Sequence, residues 1–420
     1  MAASGPILGI DFGTSNSGAA YLRDGKPQLI EMAPGHTTMP TTFFFDFDTR
    51  KTLIGEPANR ALLNGDDGRF MRALKRVLGT TLMHQKRQIL NKRVTFVDII
   101  AGFLGQIKSR AEAQAGCTFD HVMSGRPVVF HGTGDPREAQ AEADLRACYL
   151  AAGFSEVTFL AEPEAAAIAG GALEQPGEVG LIVDIGGGTS DFSVFRSQGD
   201  GVAILATHGV RIGGTDFDRA ISIERVMPLM GKGTELRKAL GPGTSPTPHA
   251  IFNDLATWEM IPFLYTAQNR RLVEDMVRMG VEPDKLSRLL SVLEHELGHE
   301  LAFAVERGKI SANSGGQDAV IALDQIERGL SIPLAHGALA SVLAPSAIAL
   351  RGAALETLRK ADLDATQINR VIYVGGSSLM TMVSDAMTAQ FPNAEHTYSE
   401  VFTAVTGGLA LASADPRFLS

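Results

Sequence analysis

Two stretches built on the same pattern constrain this chain more than any other feature. The later one, Gly180 to Phe195 (GLIVDIGGGTSDFSVF), runs from an apolar strand into Asp184, three consecutive glycines, Thr189 and Asp191, and then into a second apolar strand. The earlier one, Ile7 to Tyr21 (ILGIDFGTSNSGAAY), repeats it, with Asp11 at the strand end and a turn of Gly13, Thr14, Ser15 and Asn16. Glycines let backbone N–H groups converge without Cβ obstruction, and such a nest of donors suits phosphate oxygens. An acid at the strand end, beside a phosphate, is placed to hold a hydrated magnesium ion. Alone, either hairpin is satisfied by a plain glycine-rich turn. Together, each followed by mixed α/β sequence, they predict two related halves that close on one nucleotide from opposite sides. Neither is a Walker loop, because no Gly-Lys-Ser/Thr follows the glycines into a helix.

The totals narrow the class. With 420 residues, 45% of them hydrophobic, the chain is long enough for about two or three globular domains. A net charge of −9 without a basic cluster disfavours a nucleic-acid or anionic-membrane partner. Cys117 and Cys148 have neither metal nor redox spacing, and their scarcity suits a reducing cytoplasm, so both are expected as free thiols. Met1 to Ile10 lacks the basic start of a signal peptide. Gly337 to Leu350 is uncharged but contains Pro345 and falls short of the roughly 20 residues of a bilayer span, which predicts a buried helix.

Along the chain, Tyr21 to Met32 reads as a hairpin around Asp24-Gly25, and the phenylalanine-rich Thr41 to Phe47 as a strand in a small subdomain. Arg69 to Leu78 (RFMRALKRVL) reads as a basic helix with a solvated face; a sharper reading takes Lys75 to the phosphate site. Val97 to Ala115 and Asp135 to Ala152 have helical patterns, Arg126 to Phe130 a strand pattern. Glu162, before Pro163 at a helix start, is either a weak cap or a functional carboxylate at a strand end, and the second is favoured. Gly213-Gly214 before a helix, and Gly375-Gly376-Ser377 after a strand, are further places where backbone can approach a ligand. Gly241 to Pro248 is an exposed loop. Pro283 to Asn313 reads as one long helix whose polar face carries His295 and His299 in an HExxH pattern, together with Glu306 and Asn313, with Lys309 at its border. No downstream cluster supplies a third zinc ligand, so the histidines are expected on a solvated or cleft-facing surface.

Taken in order, GIDFGTSNS, ALKRVLG, AEPEAAAIAGG, VDIGGGTSDFSVF, GGTDFD, VERGKIS, IYVGGSS and AVTGGLAL resemble the actin, sugar-kinase and heat-shock ATPase superfamily. More closely, they resemble the nucleotide-binding domain of the seventy-kilodalton heat-shock chaperones of DnaK type, especially the short YegD-like branch. The resemblance implies an α/β, actin-like ATPase fold of two duplicated ribonuclease-H-like lobes around a nucleotide cleft. The first lobe would span 1–177 with an inserted subdomain at about 35–115, the second 178–420 with one at about 225–312. It further implies an ATP/ADP and Mg site in a magnesium-dependent, slowly hydrolysing ATPase. Asp11 and Asp184 would hold the hydrated Mg, and the backbone of Gly13 to Asn16 and of Gly186, Gly187, Gly188 and Thr189 the phosphates. Lys75, Glu162, Asp191 and Thr189 would act on the attacking water and γ-phosphate. Gly213, Gly214, Glu306, Lys309, Gly375, Gly376 and Ser377 would line the adenosine pocket, with Ile310, Asn313 and Leu379 beside them.

Two departures qualify what the resemblance implies. Ile310 and Leu379 stand where the chaperones place arginines beside adenine, and lost cation–π attraction of about 0.5–2 kcal/mol predicts weaker or differently selective purine binding. No acidic-leucine linker or peptide-binding β-domain follows Ala412, so the expected product is an ATP-dependent switch read by an unidentified protein partner or client. A small-molecule kinase of sugar-kinase type, an actin-like filament or nucleotide sensor, and lastly a zinc peptidase remain as alternatives.

Overall fold

Short runs of Ile, Val, Leu and Phe bounded by turn residues become strands because branched and aromatic side chains pack well on a pleated surface. The computed structural model describes residues 5–131, 135–171, 175–198, 201–238, 241–315, 318–398 and 403–419. Its first sheet contains β1 (Ile7–Phe12), β2 (Asn16–Arg23), β3 (Lys26–Leu29) and the short β4 (Thr38–Pro40). Beyond them lies a small subdomain of β5 (Thr42–Asp46), β6 (Thr52–Ile54), α1 (Glu56–Leu63) and β7 (Gly68–Arg72), followed by the hairpin β8 (Arg87–Ile89) and β9 (Lys92–Val94). The chain returns through α2 (Phe96–Ala115) to β10 (His121–Arg126), α3 (Arg137–Ala151), β11 (Glu156–Ala161) and α4 (Glu162–Ala169).

A second sheet is built from β12 (Val179–Ile185), β13 (Ser190–Ser197) and β14 (Val202–Val210), then α5 (Gly214–Ile221). An excursion follows, comprising the hairpin β15 (Glu235–Arg237) and β16 (Thr244–Pro246), the helices α6 (His249–Leu255), α7 (Ala267–Met279), α8 (Pro283–Glu294) and α9 (Gly298–Asn313), and the hairpin β17 (Val320–Ala322) and β18 (Ser331–Pro333). The sheet is completed after α10 (His336–Lys360) by β19 (Arg370–Val374), α11 (Thr381–Gln390) and β20 (Glu395–Thr397), and α12 (Ala404–Ala412) ends the regular structure.

The two sheets share one topology. The first runs β3-β2-β1-β10-β11 with β4 added on β2, and the second β14-β13-β12-β19-β20. In each, an antiparallel meander of three strands is extended by two parallel strands. Between the sheets, α4 and α12 form a shared core in which Ala165 to Ile168 meet Val405 and Leu409 as well as Ile182 and Ile372. α12 packs on α4 and beneath β1, β2 and β3. The approach is so close that a Cβ on Gly408 would overlap the Ala165 carbonyl, and one on Gly9 would lie 2.9 Å from Leu409 Cβ.

Several sequence expectations are corrected. Arg69 to Leu78 is not a helix: β7 pairs with β5, Phe44 opposite Phe70, and only Leu74–Val77 closes into a 3-10 turn. The strand expected at Arg126 to Phe130 lies earlier, at His121–Arg126, and leaves the sheet at Pro127, which has no N–H to give a ladder. The phenylalanines of β5 do not share one core. Phe43 packs on Phe103 of α2 at 5.4 Å, whereas Phe44 faces α1, as strand alternation requires. Gly337 to Leu350 belongs to the longer α10, which buries Leu339, Val342, Leu343 and Leu350 and leaves Ile348 exposed. By length and composition α10 could cross a membrane, and it packs here against β14 and α11.

The long helix expected over Pro283 to Asn313 is two helices. Glu296 takes a left-handed φ of 56°, and Tyr265 pins the break: its hydroxyl donates to Glu296 O at 2.9 Å and accepts from Gly298 N at 3.0 Å. His295 therefore caps α8 while His299 belongs to α9, so the two histidines do not share a helix face. His299 is buried against Trp258, ring centroids 4.8 Å apart, and desolvation with the nearby Arg72 lowers its pKa to about 4.

Candidate functional site

A cleft of about 1290 Å³ opens between the sheets, and its floor is made by the two glycine turns. In the later hairpin the register sets Asp184 opposite Asp191 and Ile185 opposite Ser190, leaving Gly186 to Thr189 as the tip. Gly186 N closes the turn on Thr189 O at 2.9 Å. The Gly186 and Gly187 carbonyls accept from Gly214 N at 3.0 Å and Thr215 N at 2.7 Å, at the start of α5. Since the C=O and N–H of a peptide unit point oppositely, the N–H groups of Gly187 and Gly188 face away from α5. Gly213 lies behind this turn: a Cβ there would meet Gly188 N at 2.5 Å. It is the one predicted residue off the cleft wall, a packing position behind the phosphate turn.

The earlier turn meets the later one directly, with Ser15 Oγ filling the space where Gly187 would carry a Cβ. Thr41 N holds Ser15 O at 2.8 Å, and the Ser17 and Thr41 hydroxyls are 2.8 Å apart. The donors of both halves are thereby brought to one place.

Around this floor stand four carboxylates and one buried ammonium. Lys75 donates to Glu162 Oε1 at 2.6 Å. Burial opposes the charge on Lys75, but Glu162, Asp11 and Asp184 together outweigh it and raise its pKa. Burial, then Glu162, pushes Asp11 up to about 7 against the opposing pull of Lys75. Asp184 is raised well above the carboxylate range, first by burial and then by Glu162, Asp191 and Asp11. Asp191 is reachable from the cleft, yet desolvation and Glu162 raise it to about 6. Burial and mutual repulsion thus disfavour the ionised carboxylates, and a bound cation would favour them. Among the described residues no group of three or more His, Cys, Asp or Glu is gathered as a metal-ligand set.

The remaining predicted residues line one side of the cleft. Gly375, at φ 78°, takes a conformation and a space that exclude a side chain: a Cβ would lie 2.9 Å from Asp184 Oδ1. Gly376 and Ser377 follow it along the wall, and Ser377 Oγ packs on Gly214. From α9, Glu306, Lys309, Ile310 and Asn313 reach the same wall. Lys309 is paired with Asp218 at 2.8 Å, and Asp218 is raised to about 6 by burial against the opposing effect of Lys309. Ile310 and Leu379 are 55% and 41% exposed, an apolar pair open to the cleft. The Asn313 amide is committed to structure, accepting from Thr381 N at 2.8 Å and donating to Leu379 O at 3.0 Å.

Sequence reasoning missed a further set. Arg72, Arg76, Asp218, Trp258 and Phe303 also line the cleft. The Arg72 guanidinium sits 4.4 Å from the Trp258 ring centroid, joining the β5–β7 subdomain to the helical excursion. Asp218 was visible as the last acid of GGTDFD; nothing in the sequence pointed to Trp258.

A family model described as Hsp70 protein matches residues 7–232. The chain is 37% identical over 223 residues to the chaperone protein DnaK of Thermoplasma acidophilum, covering 51% of this chain and 34% of the relative. It is 36% identical over 244 residues to that of Thermoplasma volcanium, covering 56% and 38%. For the chaperone protein DnaK of Endomicrobium trichonymphae the identity is 35% over 223 residues, covering 51% and 34%. The match thus spans little more than a third of each relative.

Proposed function

Because this chain belongs to the Hsp70 family, whose fold is that of the actin-like ATPases, we propose that it is a magnesium-dependent, slowly hydrolysing ATPase whose nucleotide state is read by a protein partner or client. The observation that carries this reading is the meeting of the two glycine turns on one floor, ringed by Asp11, Asp184, Asp191 and Glu162 and served by Lys75. The identical topology of the sheets supports two duplicated ribonuclease-H-like lobes, 1–177 and 178–420. Scarce, unpaired cysteines fit a cytoplasmic setting.

In this reading the turn N–H groups and Thr189 hold the phosphates in line for attack, and Lys75, fixed by Glu162, supplies positive charge where it develops. Asp191 or Glu162 orients water and accepts its proton; an acid with a pKa near 6 is suited to do so near neutral pH. Asp11 and Asp184 would hold magnesium through water, and the bound ion would neutralise phosphate charge. Glu306, Lys309 and Ser377 face the nucleoside side, where Ile310 and Leu379 offer apolar surface to the base.

Calorimetric titration of Mg-ATP and Mg-ADP tests the reading, with phosphate release followed in parallel. Magnesium-dependent binding by the wild type that is lost in Asp11→Asn and Asp184→Asn supports it, whereas a wild type that binds neither nucleotide refutes it.

A further inference from the structure

Arg76 follows Lys75 in the 3-10 turn Leu74–Val77, which the chain enters through Ala73 in a left-handed conformation, φ 59°. That conformation is strained for an alanine, and it redirects the chain as it leaves β7. Two consecutive basic side chains then reach the same cleft: Lys75 closes on Glu162, while Arg76 extends over the later phosphate turn. A Cβ on Gly188 would overlap the Arg76 guanidinium, with Cζ only 3.2 Å away. Gly188 does not have a positive φ, so backbone freedom does not explain the glycine. What a Cβ would meet there is the Arg76 guanidinium, the movable end of a flexible side chain, which places that group directly over the turn.

The charge balance points the same way. One buried lysine faces Asp11, Glu162, Asp184 and Asp191, and a terminal phosphate would add further negative charge. We propose that Arg76 contacts the γ-phosphoryl group of a bound nucleoside triphosphate, its planar fork matching phosphate oxygens, and so distinguishes the triphosphate from the diphosphate. This rests on the nucleotide-cleft reading above. A group that meets only the γ-phosphate adds affinity for ATP and not for ADP, and it stabilises charge on the transferred group.

The test compares wild type, Arg76→Ala and Arg76→Lys by titration with ADP, with ADP plus beryllium fluoride, and with ATP, alongside single-turnover phosphate release. In Arg76→Ala the ADP affinity stays within about twofold, the ratio of ADP-fluoroberyllate to ADP affinity falls about tenfold, and turnover falls about 10²–10³-fold; Arg76→Lys recovers part of both losses. Gly188→Ala, which displaces the guanidinium, reproduces the fall in that ratio and adds little to it when combined with Arg76→Ala. Equal losses for ADP and ATP mean that Arg76 only braces the turn, and an unchanged ratio means that it takes no part; either overturns the proposal. A wild type that binds neither nucleotide overturns the cleft reading itself, and that failure shows in the wild type alone.

Discussion

Asp11→Asn separates stability from function in a way that follows directly from the site. In the folded protein Asp11 is raised from 3.8 to about 7, mainly by burial and then by Glu162. A carboxyl whose folded pKa exceeds its unfolded one binds its proton more tightly in the fold. Its contribution to stability is therefore full below pH 4 and is lost as pH rises toward 7. About three units at 1.36 kcal/mol each give an upper bound of about 4 kcal/mol of destabilisation at pH 8. Asparagine stays neutral at every pH and escapes it. Thermal melts in a chelator without nucleotide should show Asp11→Asn more stable than wild type at pH 8, by about 2–3 °C if half that bound is realised. The gap should close as pH falls toward 4, while magnesium-dependent nucleotide binding is lost throughout. An Asp11→Asn protein that melts at or below the wild-type temperature at pH 8, or whose advantage is the same at pH 4 and 8, would refute the reasoning.

Further outcomes follow from other contacts. Lys75→Met should lower single-turnover phosphate release about 10²-fold or more while ATP still binds, and a smaller fall would mean that Lys75 serves only to hold Glu162. Trp258 is the chain's one tryptophan and lies on the cleft wall beneath Arg72, so its emission should change on nucleotide binding. Arg72→Ala should speed release of a fluorescent nucleotide about two- to fivefold, the rate equivalent of about 0.5–1 kcal/mol of cation–π attraction, and an unchanged rate would count against a bridge across the cleft. His299 is lowered from 6.5 to about 4, so the stability it contributes is present above pH 6.5 and lost as pH falls toward 4; urea midpoints at pH 4.5 and 7.5 should differ less in His299→Phe than in wild type. Gly408→Ala should cost about 1–3 kcal/mol, read from denaturant unfolding, because the added methyl overlaps the Ala165 carbonyl.

The hairpins at Asp11 and Asp184 were legible in the sequence because acid, glycines and flanking apolar runs must occur at fixed offsets for such a tip to exist. Their convergence on one floor was legible only as a repeat. What places Ser15 against Gly187 is a packing relation between residues far apart in the chain. Periodicity failed where a tertiary contact overrode it. The leucine spacing of α8 runs on through Leu297 to Leu301 of α9, yet the chain breaks at Glu296, where the Tyr265 hydroxyl holds it. Charge hid the strand in Arg69 to Leu78, since its short apolar pair, Phe70 and Met71, lies among cations that resemble a solvated helix face. Arg76 was passed over for the same reason, as part of a charge run, although its partner turn explains it.

The position of α12 bears on how the protein is made. Chains leave the ribosome from the N-terminus, and domains begin to fold as they emerge. Here the helix that covers β1, β2 and β3 is supplied by residues 404–412, synthesised long after the strands they cover. Until they appear, the underside of the first sheet, with Ile7 and Met123 in its core, has only α4 against it and lacks the cover that α12 gives β1, β2 and β3. The first sheet is thus completed only after the strands of the second have been made, and during its own synthesis this chain exposes the kind of apolar surface that invites premature association.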